Sequence, residues 1–185
     1  TYTIIKEEKT PTAPAKETYD ISKAVVSGIK DKTYNGKKQT QSITVRYNGK
    51  TLTANKDYTV SYSNNKKMGT ASVTIAGKGE YTGTIEKTFK IRPKKPVIMT
   101  KAAGKQKAVV RWKKVTGANG YRIYTAAKKN GKFKPVKTIK KGKTLRTTIK
   151  NLKKGNRYIK VRAYRNVNGK KVFSAYSTVK RVKVR

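Results

Sequence analysis

Apolar and polar side chains take turns along Ser42-Ile43-Thr44-Val45-Arg46-Tyr47. A similar period of two returns in Tyr58-Thr59-Val60-Ser61-Tyr62, Ala71-Ser72-Val73-Thr74-Ile75 and Ala108-Val109-Val110-Arg111-Trp112. Successive side chains of a strand point to opposite faces, so this period predicts half-buried strands. It does not suit an amphipathic helix, whose apolar stripe repeats every 3.6 residues. No segment carries a convincing helical period. Asn48-Gly49 separates two strand-like runs, and Asn130-Gly131 and Asn168-Gly169 mark two further hairpins. A type I′ turn needs positive φ at both central residues, which Asn and Gly tolerate. Further strands are read at 84–91, where Ile85, Phe89 and Ile91 share one phase, and at 97–99, 120–124, 135–139, 144–149, 158–164 and 177–184. The predicted fold class is all-β, with two tandem antiparallel β-sandwich domains.

Composition narrows the chemistry. The 185 residues include 48 Lys and Arg, eight Asp and Glu, no His and no Cys, for a formal net charge of +40. Without Cys there is no disulfide framework, thiolate zinc site or thiol nucleophile. Without His the commonest general base and metal ligand are missing. The reading is therefore a chain with no cofactor, no metal and no enzymatic activity. A mean hydropathy of −0.81 with so much charge would suit a disordered chain. The 12 Tyr and the regular alternation decide instead for folded sheets with a charged exterior. No run of about 18 apolar residues exists, so no membrane span is expected. No secretion signal opens the chain. Thr1 in place of an initiator Met reads as a fragment or processed product.

The charge is uneven. All eight acids lie in residues 1–95, where 19 basic residues leave +11; residues 96–185 hold 29 basic residues and no acid, +29. The step falls at Ile91-Arg92-Pro93-Lys94-Lys95-Pro96, where two prolines disfavour a central strand or continuing helix. The expected organisation is a tail and Pro-bearing linker over 1–19, one domain over 20–92 and a second over 93–185. The tail holds a strand-like Tyr2-Thr3-Ile4-Ile5-Lys6, and the linker runs through Lys9-Thr10-Pro11-Thr12-Ala13-Pro14-Ala15-Lys16.

In the first domain, Asp57-Tyr58-Thr59-Val60-Ser61-Tyr62 and the glycine-rich Gly77-Lys78-Gly79-Glu80-Tyr81-Thr82-Gly83 resemble a bacterial Ig-like repeat. Such repeats occur in secreted and surface proteins of Gram-positive, especially clostridial, bacteria, and the resemblance implies a non-catalytic spacer or adhesive module. The glycines are not a phosphate loop, because a strand rather than a helix follows them. Asp57 reads as a turn residue. Surface Ig-like domains sometimes carry a Lys–Asn isopeptide bond promoted by a buried acid, for which Asp57 and Glu86 are the available acids.

The second domain resembles a fibronectin type III domain over about residues 94–185. The resemblance rests on Trp112, on Val115-x-Gly117-Ala118-x-Gly120-Tyr121-x-Ile123-Tyr124, on Leu152-x-x-Gly155-x-x-Tyr158 and on Val161-Arg162-Ala163-Tyr164. It implies a core Trp112, inward Tyr121 and Ile123, and a tyrosine corner at Leu152 and Tyr158. Tyr158 is out of phase with Ile159, Val161 and Ala163, so either a bulge follows it or it is not a true corner. Ser174-Ala175-Tyr176-Ser177 resembles the usual approach to the last strand. Ser174 and Ser177 have no His or acid nearby in sequence to activate them.

If Tyr121, Ile123, Ile159, Val161 and Ala163 face the core, then Arg122, Tyr124, Lys160, Arg162 and Tyr164 share the outer face. Cations interleaved with aromatics can grip anionic polymers by charge and sugars or bases by stacking. They can also simply solvate a sheet. The functional reading is a non-catalytic module of a larger secreted or cell-surface protein. It would be monomeric and extracellular, and its basic domain would contact an anionic cell-wall polymer or glycan. The alternative is a carbohydrate- or host-glycan-binding accessory module of a secreted hydrolase. Nucleic-acid binding ranks below both, since no helix-turn-helix, zinc finger or RNA-binding signature accompanies the charge and no specific nucleic acid is implied.

Overall fold

The computed structural model describes residues 16–185. The strand expected at 2–6 and nearly all of the linker at 9–16 lie outside the described residues. The remainder is all-β, with one 3₁₀ turn at Ile21–Lys23. No helix among the described residues is long and apolar enough to cross a membrane.

The N-terminal unit contains β1 (Tyr19–Asp20), β2 (Val25–Ser27), β3 (Lys32–Thr33), β4 (Thr44–Tyr47), β5 (Lys50–Thr51), β6 (Tyr58–Ser63), β7 (Gly69–Gly77), β8 (Tyr81–Thr82) and β9 (Thr84–Arg92). A four-stranded sheet β3-β9-β7-β6 accompanies a three-stranded sheet β2-β4-β5. Pairing is antiparallel apart from two short parallel contacts, β1 with β8 and β3 with β9. Each joins segments some 60 residues apart, a separation that lets two strands run in the same direction. The period of two is kept: Ala71, Val73 and Ile75 of β7 and Ile85, Phe89 and Ile91 of β9 are buried. Asn48 and Gly49 have φ of 47° and 79°, as the β4–β5 hairpin demands.

The carboxylates of this unit hold local backbone. Asp20 caps the 3₁₀ turn by accepting from Ser22 N (2.9 Å) and Ser22 Oγ (2.7 Å), and the turn delivers Ile21 to the core. Asp57 accepts from Thr53 N at 2.7 Å, the turn role read from sequence. The buried polar residues are Gln39, Asn65, Thr147, Ser174 and Ser177. None is an acid, so the described residues offer no buried carboxylate to promote an isopeptide bond. At Gly77 a Cβ would stand 2.6 Å from the Tyr81 backbone, so this glycine lets two chain segments touch.

The C-terminal unit contains β10 (Ile98–Ala102), β11 (Ala108–Trp112), β12 (Gly120–Ala126), β13 (Lys134–Ile139), β14 (Arg146–Ile149), β15 (Gly155–Val167), β16 (Lys170–Phe173) and β17 (Lys180–Val184). One sheet is β10-β11-β14. The other is β13-β12-β15, with β16 and β17 both following along β15. Between them Trp112 packs on Tyr121 at 5.0 Å between ring centroids, among Ile98, Val110, Ile123, Val161 and Val184. Tyr121 ties its hydroxyl to backbone, accepting from Val115 N (3.1 Å) and donating to Gly142 O (3.4 Å).

Two local expectations are corrected. β12 pairs with β15 without a break from Gly120↔Tyr164 to Ala126↔Tyr158. No bulge follows Tyr158, which stays half-exposed on the phase opposite Ile159 and is not a buried corner. Asn130-Gly131 is not a two-residue hairpin, since neither residue has positive φ. Gly131 N instead donates to Lys128 O (3.1 Å) inside a longer loop, 127–133, and the β12–β13 register shifts at Ile123/Tyr124.

No strand pairing joins 19–92 to 98–184. The units meet around Arg92, whose Nε donates to Asp31 Oδ2 (2.8 Å) while Nη1 donates to Phe173 O (3.2 Å). Pro93 and Pro96 are buried. Burial alone would raise the Asp31 pKa. The hydrogen bond from Lys90 N, then the bonds and charge of Arg92, outweigh it and hold the carboxyl below its ordinary 3.8. A depressed carboxylate pKa adds stability above the unfolded value and loses it as pH falls through the folded one. Asp31→Asn should therefore lower stability near neutral pH by about 0.5–1 kcal/mol, the range of a partly exposed pair. The deficit should close as pH drops below 3.8, which denaturant titrations of both proteins at several pH values would check.

Candidate functional site

Directly paired residues of neighbouring strands project to the same side of a sheet. The register Arg122↔Arg162, Tyr124↔Lys160 and Gly120↔Tyr164 therefore gathers all five predicted residues on the outer face of β12 and β15. Arg122, Lys160 and Arg162 are half-buried there. The two tyrosines are not the open platform expected: Tyr124 is 8% exposed and Tyr164 2%.

Two aromatics that the strand pattern did not single out account for this, and a third joins them on the face. Phe173 packs on Tyr164 (5.7 Å between centroids), and Tyr176 meets Tyr124 edge-on (5.2 Å, 84°). The third, Phe133, reaches the face from the loop after β12. Tyr164 lies over Gly120, where a Cβ would come within 2.5 Å of its hydroxyl, and that hydroxyl donates to Ile139 O at 3.2 Å. Burial pushes the Tyr164 phenol above its ordinary 10.0, opposed by the Arg122 charge, so it stays neutral at physiological pH.

The cations stack on these rings. Lys160 Nζ sits 3.8 Å from the Tyr176 centroid and 4.1 Å from that of Phe133. Arg162 Cζ lies 4.6 Å from Tyr176 and 4.8 Å from Phe173, and Arg122 Cζ lies 5.5 Å from Phe173. Lys171 Nζ extends the row over Tyr164 at 5.6 Å. Arg162 Nε also donates to Ser174 O (2.7 Å) and Arg122 Nε to Thr138 Oγ1 (3.2 Å). Rings and neutral oxygens hold these groups in place, and with no acid in residues 96–185 the positive charge stays uncancelled within the unit.

Two serines set this geometry. Residues 174–179 carry no strand assignment, yet they continue the edge along β15 between β16 and β17. Ser174 N donates to Ala163 O (2.9 Å) and Ser177 N to Val161 O (2.8 Å). In return, Ala163 N donates to Ser174 Oγ and Val161 N to Ser177 Oγ, both at 3.0 Å. Three residues here thus match two on β15. A period of three turns Phe173 and Tyr176 outward together, whereas a period of two would send them to opposite faces. The overlooked signal is the repeat Phe173-Ser174-Ala175-Tyr176-Ser177, an aromatic followed by Ser at three-residue spacing. Both hydroxyls are buried and engaged with backbone, which leaves neither serine poised as a nucleophile.

Ser177→Ala should strand the buried Val161 N–H and cost about 1–3 kcal/mol; urea unfolding measures it. Tyr176→Leu removes the ring shared by Lys160 and Arg162 and should cost about 1–2 kcal/mol. The ring-current shifts of the Lys160 side-chain protons should shrink in the NMR spectrum of that variant, leaving the part due to Phe133.

No protein-family model matches the sequence, and no curated protein matches it. Solved structures do. A two-domain fibronectin type III segment of chicken tenascin aligns over 87% of this chain and 97% of its own, with 15% identity and a TM-score of 0.50. A fibronectin type III-like protein from Clostridium thermocellum aligns over 50% of this chain and 94% of its own, with 22% identity and a TM-score of 0.42. A segment of chicken CNTN1 covering FN1–FN3 aligns over 92% of this chain and 69% of its own, with 16% identity and a TM-score of 0.43. The likeness to the tenascin pair is one of fold, a β-sandwich of the fibronectin type III kind.

Proposed function

We propose that the chain is a non-catalytic module of a secreted or cell-surface protein, with two sandwich domains divided at 92–96. In this reading the N-terminal domain is an Ig-like spacer. The C-terminal domain holds an anionic, phosphate-rich polymer of the cell envelope against the outer face of β12 and β15.

The observation that carries the reading is the trio Arg122, Lys160 and Arg162, half-buried beside aromatic rings in a domain without Asp or Glu. Stacking fixes the side chains before any ligand arrives, so little rotamer entropy remains to be lost on binding. A guanidinium whose Nε is anchored and whose Cζ lies over a ring still has N–H donors left for a phosphate. The charge of +29 over residues 96–185 adds long-range attraction to an anionic surface. A neutral glycan would need an open ring face. Tyr176, 39% exposed, already has Lys160 and Arg162 beside its ring and Tyr124 against it, which favours the anionic ligand over the accessory-module reading. The described residues contain no α-helix to enter a major groove, so the helical base readers are not among the candidates.

Purified poly(glycerol phosphate), titrated at several salt concentrations, tests the reading. Affinity should fall steeply with salt. Arg122→Gln/Arg162→Gln should weaken binding and flatten the log K against log salt slope by about 1.5, close to two lost phosphate contacts. Binding indifferent to salt, or the same slope in the double variant, would refute the role of this face.

A further inference from the structure

The cationic face does not end at the edge of its own domain. Lys171, stacked over Tyr164, also lines a groove of about 640 Å³ between the two units. Lys67 and Lys90 of the N-terminal unit and Lys170 and Lys171 of the C-terminal unit all line it, together with Met68, Val167 and Val172. No acid lines this groove. Asp31, the nearby carboxylate, is engaged by Lys90 N and Arg92. Arg92 in turn binds the carbonyl of Phe173, the residue whose ring lies beside Arg122 and Arg162. The row of stacked cations therefore runs into the domain junction.

The junction is closely seated but electrostatically unfavourable. Val167 packs where Gly69 has no side chain, and Met68 packs in the same way against Gly117. Lysines of both units line the same groove, and like charges there repel over distances up to about the Debye length, about 10 Å at 0.1 M salt. A multivalent anion lying between them would turn that repulsion into attraction. Any ligand that binds the docked arrangement more tightly than a splayed one shifts the population toward docking.

We propose that one linear polyphosphate-type chain occupies the face and the groove together and clamps the two domains in a fixed orientation. This rests on the polyanion-binding reading above and adds the second site, the interdomain groove. Lys160 and Arg162, two residues apart on one strand, present charges roughly 6–7 Å apart, a spacing that successive phosphates of a flexible chain can follow. A short chain can cover the face alone. A long chain can also enter the groove, and the second contact then forms at high effective concentration.

The test uses inorganic polyphosphate in two lengths, about four and about thirty phosphates, with calorimetry on the full chain. The groove variant is Lys67→Gln/Lys90→Gln/Lys170→Gln. The control is Lys105→Gln/Lys107→Gln/Lys153→Gln, which removes the same charge from exposed positions of the C-terminal domain. The groove variant should lose at least about tenfold in affinity for the long chain and under about twofold for the short one. The control should lose less than the groove variant for the long chain. Equal losses in groove variant and control, equal losses for both lengths, or an unchanged long-chain affinity would overturn the proposal. Dyes on the two domains supply a second readout: the long chain should narrow their distance distribution in the wild type and not in the groove variant. An unchanged wild-type distribution would overturn the clamp. Arg122→Gln/Arg162→Gln with undiminished short-chain binding would instead sink the face itself, so the two failures are distinguishable.

Discussion

A protein surface rich in cations and lacking carboxylates has two ways to hold its charges, water and π-electrons. The C-terminal domain uses both, and its outer sheet face is organised by the second. Arg122, Lys160 and Arg162 cannot form ion pairs within the domain, because residues 96–185 contain no acid. Each instead lies within 5.5 Å of an aromatic centroid. A ring offers a quadrupole and not a net charge, so it fixes a cation's position without cancelling its field. A carboxylate would have done both. The consequence is a set of ordered charges still able to attract an anion, which a face of ordinary salt bridges would not retain.

That arrangement depends on the interrupted edge beside β15. Had β16 continued as a regular strand, Phe173 would face outward and Tyr176 inward, and Lys160 would have lost its nearest ring. The two serine hydroxyls take over as acceptors for Ala163 N and Val161 N, so the edge can depart from strand geometry without stranding buried donors. The segment 174–179 therefore fastens β15 through its hydrogen bonds and sets the aromatic Tyr176 beside Lys160 and Arg162.

The legible parts of this chain were those governed by local pattern. Alternation located the longer strands but not the short β1, β2, β3 and β8, and Asn48-Gly49 and Asn168-Gly169 adopt the positive φ that their hairpins require. Phase placed Arg122, Tyr124, Lys160, Arg162 and Tyr164 on one face. Exposure was not legible, because it depends on what lies above a residue. Tyr124 and Tyr164 are covered by side chains from residues 173 and 176, whose period of three does not appear in a strand template. Asn130-Gly131 misled for a related reason: the dipeptide permits a tight hairpin, but the loop that contains it is closed by a different bond, Gly131 N to Lys128 O. The groove at the junction was invisible, since it exists only where Lys67 and Lys90 meet Lys170 and Lys171.

The distribution of acids ties these observations together. In the N-terminal domain Asp20, Asp31 and Asp57 each accept a hydrogen bond from a backbone N–H, and they act as turn and edge fasteners. In the C-terminal domain comparable tasks fall to neutral oxygens: Tyr121 Oη accepts from Val115 N, Asn119 Oδ1 from Asn166 N, and the serine hydroxyls from β15. Neutral acceptors do that work without adding negative charge. A domain whose backbone is fastened by hydroxyls and amides can fold with its full positive potential intact. The missing acids are thus consistent with one design in which folding and attraction to an anion use different groups and do not compete.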